Sequence, residues 1–341
     1  MFDERIYRVL WAVVESYITN PDPVGSRFVT KKYAFNLSPA TIRNIMADLE
    51  DMGFLSQPHT SAGRVPTDKA YRFYVDYLAQ KEGTADVTLM DEIIRKLENI
   101  RTDVNALLKE TSRTLSTFSH YLGVALPPNP DNTTLKGINL FKYKERQVMV
   151  VLMTDEGIVK NKIIQLNPDL TQHDLNRISE YLNSEFTGLT LDEIRSNVLR
   201  EMHRDKAVCD TLISRAIRIC REALSFESGD IFISGLHEVL GLPDFSDIQR
   251  IREISKAIED KHLIIKLLDM LPRSEGVRVL IGSENAASEM SRLSVVVSSY
   301  GEGDKPMGTI GIIGPTRMDY MKVITIVDTT AKFITRILSE K

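Results

Sequence analysis

The sequence of 341 residues has little of the chemistry that builds disulfide frameworks or metal centres. Its two cysteines, Cys209 and Cys220, form no CxxC motif, which excludes a disulfide-stapled secreted scaffold. The six histidines are scattered, and no two lie three or four positions apart as a helical metal site requires. We therefore expect no metal and no cofactor.

Long apolar runs are also missing. No uncharged apolar stretch approaches the roughly 18 residues that span a bilayer, and the first residues, MFDERIYRVLW, lack a signal-peptide core. These absences predict a cytoplasmic protein without a membrane partner. With 43% hydrophobic and 26% charged residues, the composition is that of a folded globular protein, and the length favours two or three domains.

The first eighty residues contain start and stop signals that are typical of three helices followed by a hairpin. An apolar stripe at helical spacing runs over residues 4–19. Ser26 is a candidate N-cap for a second helix. Ser38 and Pro39 are typical of the start of a third helix, which Gly53 ends with a left-handed cap. Turn-rich residues 57–66 then predict a β-hairpin before another helix, so residues 1–80 are predicted to form a winged helix-turn-helix domain.

A hinge and a long helix are predicted over residues 81–125. Apolar side chains alternate four and three positions apart within residues 88–122: Ile93, Leu97, Ile100, Val104 and Leu107. This seam either packs on its own domain or forms a coiled coil between subunits, and the spacing fits both.

The rest of the chain has the pattern of an interrupted sheet domain. Strands are predicted at residues 147–153, 158–166, 277–282, 293–300 and 308–314, with a closing helix over residues 319–338. Residues 171–272 have a mainly helical pattern with one strand-like run at 230–234. The prediction is an α+β multidomain protein in which segments 126–190 and 276–341 form one domain, and residues 191–275 are a helical insertion.

The third helix carries the candidate DNA-reading surface. Its apolar side is formed by Ile42, Ile45, Met46, Leu49 and Met52. Its opposite side is formed by Ala40, Asn44 and Ala47, flanked by Thr41, Arg43 and Asp48. Small side chains let a helix approach the major groove, Asn pairs with adenine, and Arg pairs with guanine or a phosphate. The helix N-terminus at Ser38 adds amide groups that bind a phosphate.

Local charge agrees with this interpretation, although the whole chain carries a net charge of −4. Residues 25–72 contain seven basic and four acidic residues, a local balance of +3. The tip of the predicted hairpin adds His59, Thr60, Ser61 and Arg64, which are typical partners of phosphates or the minor groove.

Two long stretches resemble a known family. Residues 37–78 (LSPATIRNIMADLEDMGFLSQPHTSAGRVPTDKAYRFYVDYL) are similar to the DNA-binding domain of the heat-inducible transcription repressor family, HrcA. The segments VRVLIGSEN (277–285) and MGTIGIIGPTRMDY (307–320) resemble that family's second signature.

The resemblance implies a homodimer that binds double-stranded DNA at an inverted-repeat operator upstream of chaperone genes. It also implies release on heat stress and support of the active state by the chaperonin GroEL/GroES. The fold that it implies is a winged helix and a GAF-like domain that contains a dimerising insertion. Arg43 and Asn44 become the leading base readers, with Thr41 in support.

Three other functions remain as alternatives. An enzyme is disfavoured because Gly308, Gly311 and Gly314 match neither nucleotide-binding glycine motif, and no catalytic motif is present. A winged-helix regulator that senses a small molecule through its GAF-like domain is the main alternative, although the strands are mostly aliphatic. The third alternative is a chaperone-binding adaptor that represses nothing. It is disfavoured because an adaptor does not need a base-reading surface around Asn44.

Overall fold

The chain combines α-helices with antiparallel β-sheets, as the sequence predicts. The computed structural model describes residues 3–59, 62–80, 87–98, 100, 104–128, 133–155, 157, 159–166, 170–194, 196–197, 219, 231–245, 255, 264, 268, 276–285, 287–301 and 307–339.

Helices and one short hairpin form the N-terminal unit, residues 3–80. The elements are α1 (Glu4–Thr19), α2 (Ser26–Lys32), α3 (Pro39–Asp51), β1 (Leu55–Ser56), β2 (Val65–Pro66) and α4 (Asp68–Gln80). The two strands pair antiparallel, and Val24 adds a bridge to Arg64 beside β2. This is the predicted element order, with one difference: Gly25, not Ser26, is the N-cap of α2.

The remaining elements follow in chain order. They are α5 (Val87–Glu98), α6 (Val104–Ser119), β3 (Leu122–Leu126), β4 (Leu135–Lys144), β5 (Gln147–Thr154), β6 (Val159–Gln165), α7 (Gln172–Phe186), β7 (Phe232–Ser234), α8 (Leu236–Leu240), β8 (Val277–Ile281), β9 (Leu293–Tyr300), β10 (Gly308–Pro315) and α9 (Tyr320–Ser339). No helix within these described ranges is long and apolar enough to cross a membrane.

The predicted long helix is divided into α5 and α6. Ile100 lies outside both helices, so the expectation of one helix over residues 88–122 is wrong. The seam residues Ile93, Leu97 and Leu107 are fully buried in the same apolar cluster as side chains of α9. Within the chain, these seam residues therefore pack on α9 and its neighbours.

A five-stranded antiparallel sheet lies at the centre of the C-terminal part, in the order β7-β3-β10-β9-β8. Alternation along the strands places Val296 and Ile312 in the cluster that includes α6 and α9. Val295 and Ile313 belong to a second cluster on the opposite face. Both faces of the sheet are therefore packed against apolar side chains, which stabilises it through burial of apolar surface.

Strands β4, β5 and β6 form a separate three-stranded antiparallel sheet with its own apolar core against α7. Residues 126–190 are predicted to form one domain with residues 276–341, and in the structure strands β4–β6 and β8–β10 lie in different sheets. Strands β3 and β7 are direct neighbours, with Gly123 opposite Ser234. The chain thus leaves the five-stranded sheet after β3 and returns at β7. Hydrophobic alternation identifies a strand but contains no information on its partner.

Candidate nucleic-acid interface

The N-terminus of α3 is closed by the residues that the sequence indicates. The Ser38 hydroxyl accepts a hydrogen bond from the Thr41 amide at 3.1 Å, and the two hydroxyls lie 2.9 Å apart. Pro39 occupies the first helical position, where its missing N–H costs nothing. The first turn of α3 is therefore well ordered, with its partial positive charge directed at the surrounding solvent.

The C-terminus of α3 turns sharply into the hairpin. Gly53 adopts a φ of 78°, and its amide donates to Glu50 O at 2.8 Å. The Phe54 amide donates to Leu49 O at 2.9 Å, which completes a left-handed cap. The sequence pattern predicts Met52 in the core, but Met52 is 41% exposed because the helix ends at Asp51 and Met52 lies in the turn.

The two sides of α3 differ as predicted. Ile42, Met46 and Leu49 are buried against the N-terminal unit, and Ile45 lies at its margin. On the other side, a set of exposed or half-exposed residues shares one surface: Ser38, Ala40, Thr41, Arg43, Asn44 and Ala47. We call this set the α3 surface.

Arg43 and Asn44 are both exposed at the middle of this surface. Neither side chain forms a hydrogen bond or an ion pair with any other residue in the described part of the chain. Ala40 and Ala47 flank them without large side chains. The arrangement thus offers one fork of guanidinium donors and one amide to an external partner, on a helix whose axis can approach closely.

The hairpin loop contains the other candidate contacts. His59 is exposed, and its carbonyl accepts from the Ala62 amide at 2.8 Å. Gln57 supports the loop from inside by donating to Ala62 O at 2.9 Å. Thr60 and Ser61 lie outside the described residues.

Arg64 has a different environment from the one that the sequence indicates. Its guanidinium forms an ion pair of 2.7 Å with Glu50 near the end of α3, and the side chain is only 19% exposed. Its backbone pairs with Val24 through two hydrogen bonds of 2.9 Å. Arg64 therefore joins the hairpin to α3 and to the segment before α2, and its side chain is directed at the protein itself.

Further cations lie on α2, next to α3. Arg27, Lys31 and Lys32 are exposed. The Lys32 ammonium lies 5.2 Å from the centroid of the Tyr33 ring, which holds the charge at the surface. The local excess of positive charge is therefore presented on the unit that contains the α3 surface.

Sequence reasoning missed a set of contacts between the N-terminal unit and the C-terminal part. Arg72 on α4 contacts Glu284, and Arg317 contacts the end of α1 at Ile18. The pairs are 212 and 299 positions apart, so no local pattern could have revealed them. The only sequence signal was that Arg72 and Glu284 both lie in stretches that resemble the same family.

Comparison with known proteins gives concordant matches. A family model described as the HrcA protein C terminal domain matches residues 105–324. A curated relative from Thermodesulfovibrio yellowstonii, named heat-inducible transcription repressor HrcA, is 46% identical over 100% of this chain and 99% of its own. A relative of the same name from Geobacter sulfurreducens is 43% identical over 98% of each chain. This chain belongs to the HrcA family.

The family model does not include the α3 surface or the hairpin, so membership of the N-terminal unit rests on the full-length HrcA relatives. A crystal structure of a protein described as hypothetical has a TM-score of 0.68 at 22% identity, covering 100% of this chain and 99% of that one. That likeness shows a shared fold. Within the described part of this HrcA chain, no group of three or more His, Cys, Asp or Glu residues is placed to hold a metal ion.

Proposed function

We propose that this HrcA family member represses chaperone genes as a dimer that places α3 of each subunit in the major groove of an inverted-repeat operator. Heat releases the dimer, and the chaperonin GroEL/GroES supports the DNA-competent state. The names of the full-length relatives support the heat-inducible repressor role. The single observation that carries the DNA-binding mechanism is the α3 surface, where exposed Arg43 and Asn44 lie between small residues on a capped helix.

The architecture supports a winged helix-turn-helix followed by a GAF-like domain with an insertion. Helices α2 and α3 are the helix-turn-helix, and β1 and β2 are the wing. The five-stranded sheet with α6 and α9 is the GAF-like part. The dimerising insertion is assigned to the segment between β3 and β7, because those two strands are neighbours in the sheet.

Each residue of the α3 surface has a physical role in this proposal. Arg43 and Asn44 read base edges, since their donor groups match guanine and adenine in the major groove. Thr41 and Ser38 bind the backbone phosphate at the helix N-terminus. Ala40 and Ala47 permit the close approach. His59, with Thr60 and Ser61, contacts the backbone beside the groove.

The three-stranded sheet supports dimer formation through its outer face. Large apolar side chains on this face are unusually exposed: Phe141 by 44%, Val159 by 58% and Ile163 by 50%. Phe141 and Ile163 both pair with Met149, which places them in one row across the sheet. An apolar row of this kind is typical of an association surface, and we assign a second copy of the chain to it because an inverted repeat requires a twofold partner.

The five-stranded sheet is assigned a structural role. Its two faces are each covered by a buried apolar cluster, which favours packing over ligand sensing. The proposal includes no cofactor, no catalytic activity and no membrane partner, and it places the protein in the cytoplasm with the chromosome.

The decisive experiment is a titration of labelled inverted-repeat DNA from upstream of a chaperonin operon, followed by fluorescence anisotropy. We expect Arg43→Ala and Asn44→Ala each to cost about 1–3 kcal/mol of binding and to relax base preference. Arg95→Ala, at an exposed position of α5, is the matched control and should bind as the wild type does. Unchanged titrations for both α3 variants would overturn the assignment of the α3 surface.

A further inference from the structure

The N-terminal unit is attached to the C-terminal part by an anchor around Arg72. The Arg72 Nε donates to Glu284 Oε1 at 2.7 Å, and Nη2 donates to Glu284 Oε2 and, at 2.6 Å, to Val279 O. One helical turn earlier, Asp68 accepts a hydrogen bond of 2.9 Å from the Ser283 amide. This fork-shaped contact fixes both the position and the direction of α4.

The receiving side of this anchor is already ordered by its own turn. Glu284 also accepts from the Ile281 amide at 2.9 Å, so its carboxylate is held by its own turn as well as by Arg72. Gly282 adopts a φ of 51°, and a Cβ at this position would collide with the Asp68 carboxylate. The turn after β8 is therefore shaped to fit α4 closely.

A second anchor is centred on Arg317, which is 12% exposed. Its Nε and Nη2 donate to the two carboxylate oxygens of Asp244, at 3.1 and 2.7 Å. Its remaining terminal nitrogen, Nη1, donates to Ile18 O, near the end of α1, at 2.6 Å. Asp244 thus orients Arg317, and Arg317 holds α1.

The two anchors are connected by a contact between buried aromatic rings. Tyr71, next to Arg72, and Tyr320, three positions after Arg317, have ring centroids 5.9 Å apart. The Tyr320 hydroxyl bonds to the Ser294 hydroxyl at 2.7 Å, which fixes this ring to the five-stranded sheet. One anchor alone would act as a pivot, whereas two anchors on different helices, α1 and α4, also prevent rotation.

The anchored arrangement leaves the α3 surface available. Arg43 and Asn44 remain exposed while both anchors are formed. The anchors therefore do not cover Arg43 and Asn44. They fix only the orientation of the N-terminal unit, which carries these two residues.

We propose that Arg72 and Arg317 are positioning residues that determine which spacing between two operator half-sites the dimer accepts. The inference rests on the proposed function. A dimer gains affinity from its second half-site only when the separation of its two α3 helices matches the spacing of the half-sites on DNA. If each N-terminal unit is rigidly attached to its C-terminal part, that gain depends sharply on the distance between the half-sites. If the N-terminal unit is attached more loosely, the extra affinity from the second half-site is spread over several spacings, and the affinity at the best spacing is lower.

The test uses the full chain and a series of inverted repeats whose half-sites are moved apart or together one base pair at a time, beside a single half-site. For the wild type we expect one preferred spacing, with affinity lower by about tenfold or more at the neighbouring spacings. For Arg72→Met and Arg317→Met we expect a flattened profile and a lower maximum, with unchanged affinity for the single half-site.

Two further variants separate positioning from loss of folding. Glu284→Gln keeps the shape of the side chain and removes its charge, and should flatten the profile without changing the circular dichroism spectrum. The exchange Arg72→Glu with Glu284→Arg should bind with a sharper spacing profile than either single charge reversal, because opposite charges face each other again although the bonds to Val279 O and from the Ile281 amide are lost. An unchanged sharp profile in both Met variants would overturn the inference, as would tighter binding at every spacing. Failure of the wild type to bind any inverted repeat would instead overturn the proposed function.

Discussion

Arg64 and Glu50 form an ion pair of 2.7 Å that ties the hairpin to the last turn of α3. Both side chains are partly protected from solvent, at 19% and 31% exposure. The only arginine of the hairpin is thereby neutralised on the unit that is proposed to bind a polyanion. In this ion pair, Arg64 fixes the angle between the hairpin and α3 and is not available for an additional phosphate contact.

Replacing Glu50 by Gln should therefore strengthen DNA binding at low salt. The change removes a negative charge beside the α3 surface and leaves Arg64 available to a phosphate. Plots of log affinity against log salt should steepen by about one unit. Glu92→Gln, at an exposed position of α5, makes the same change in net charge, and an equal steepening in that control would show that only total charge matters.

Ser38 has two roles that substitution can separate. Ser38→Ala removes the cap of α3 and should lower the free energy of unfolding by about 0.5–2 kcal/mol, together with DNA affinity. Ser38→Asp retains a capping oxygen but places a negative charge where a phosphate is proposed to bind. We expect the Asp variant to unfold near the wild-type midpoint in urea and to lose DNA binding. Retained binding in that variant would place the phosphate elsewhere.

Gly282→Ala should weaken the attachment of the N-terminal unit more than an ordinary left-handed glycine substitution does. The φ of 51° strains any L-residue, and the added methyl group also meets Asp68. Gly276→Ala is the matched control, because Gly276 has a φ of 93° and a methyl group added there would meet nothing within 4 Å. We expect a larger loss of stability at Gly282, measured by denaturant unfolding.

The origin of that difference can be isolated by a double-mutant cycle. Asp68→Ala removes the carboxylate that the new methyl group would meet. The two substitutions should therefore be less harmful together than the sum of their separate effects. Strict additivity would mean that backbone strain alone explains the Gly282 variant.

Ile163→Glu on the outer face of the three-stranded sheet should dissociate the proposed dimer. A carboxylate buried between two copies loses its hydration without gaining a partner. Sedimentation velocity should show a monomer, and binding to the inverted repeat should fall to the level of a single half-site. Asn176→Glu, at an exposed position of α7, adds the same charge away from this face and should leave the oligomeric state of the wild type unchanged. A dimeric Ile163→Glu protein would exclude this face as the interface.

The features that sequence predicts well are those set by neighbouring residues. The limits of α3 follow from Ser38, Pro39 and Gly53, and each of these acts within one helical turn. The exposure of Arg43 and Asn44 follows from the helical period. These local rules are sufficient to locate the α3 surface from the order of the residues alone.

Features that depend on distant partners could not be predicted in this way. The pairing of β3 with β7 joins residues more than a hundred positions apart, and hydrophobic alternation could not show that β4–β6 form a sheet of their own. The direction of Arg64 depends on how the hairpin folds back on α3, and the Arg72 anchor depends on a turn near the other end of the chain. Hydrophobic periodicity shows which face of a helix or strand is buried, whereas these contacts depend on which distant elements lie next to each other in the fold.

The apolar cluster that α1, α3 and α4 share with α9 has a consequence for synthesis of the chain. The N-terminal unit leaves the ribosome first, while Tyr320 and the rest of α9 follow after more than two hundred further residues. At about 5–20 residues per second, the surface that contacts α9 waits on the order of ten seconds or more for its partner. During that interval the nascent repressor exposes an incomplete core, which is the kind of surface that chaperones bind. The core of the N-terminal unit is therefore complete only after α9 has been made.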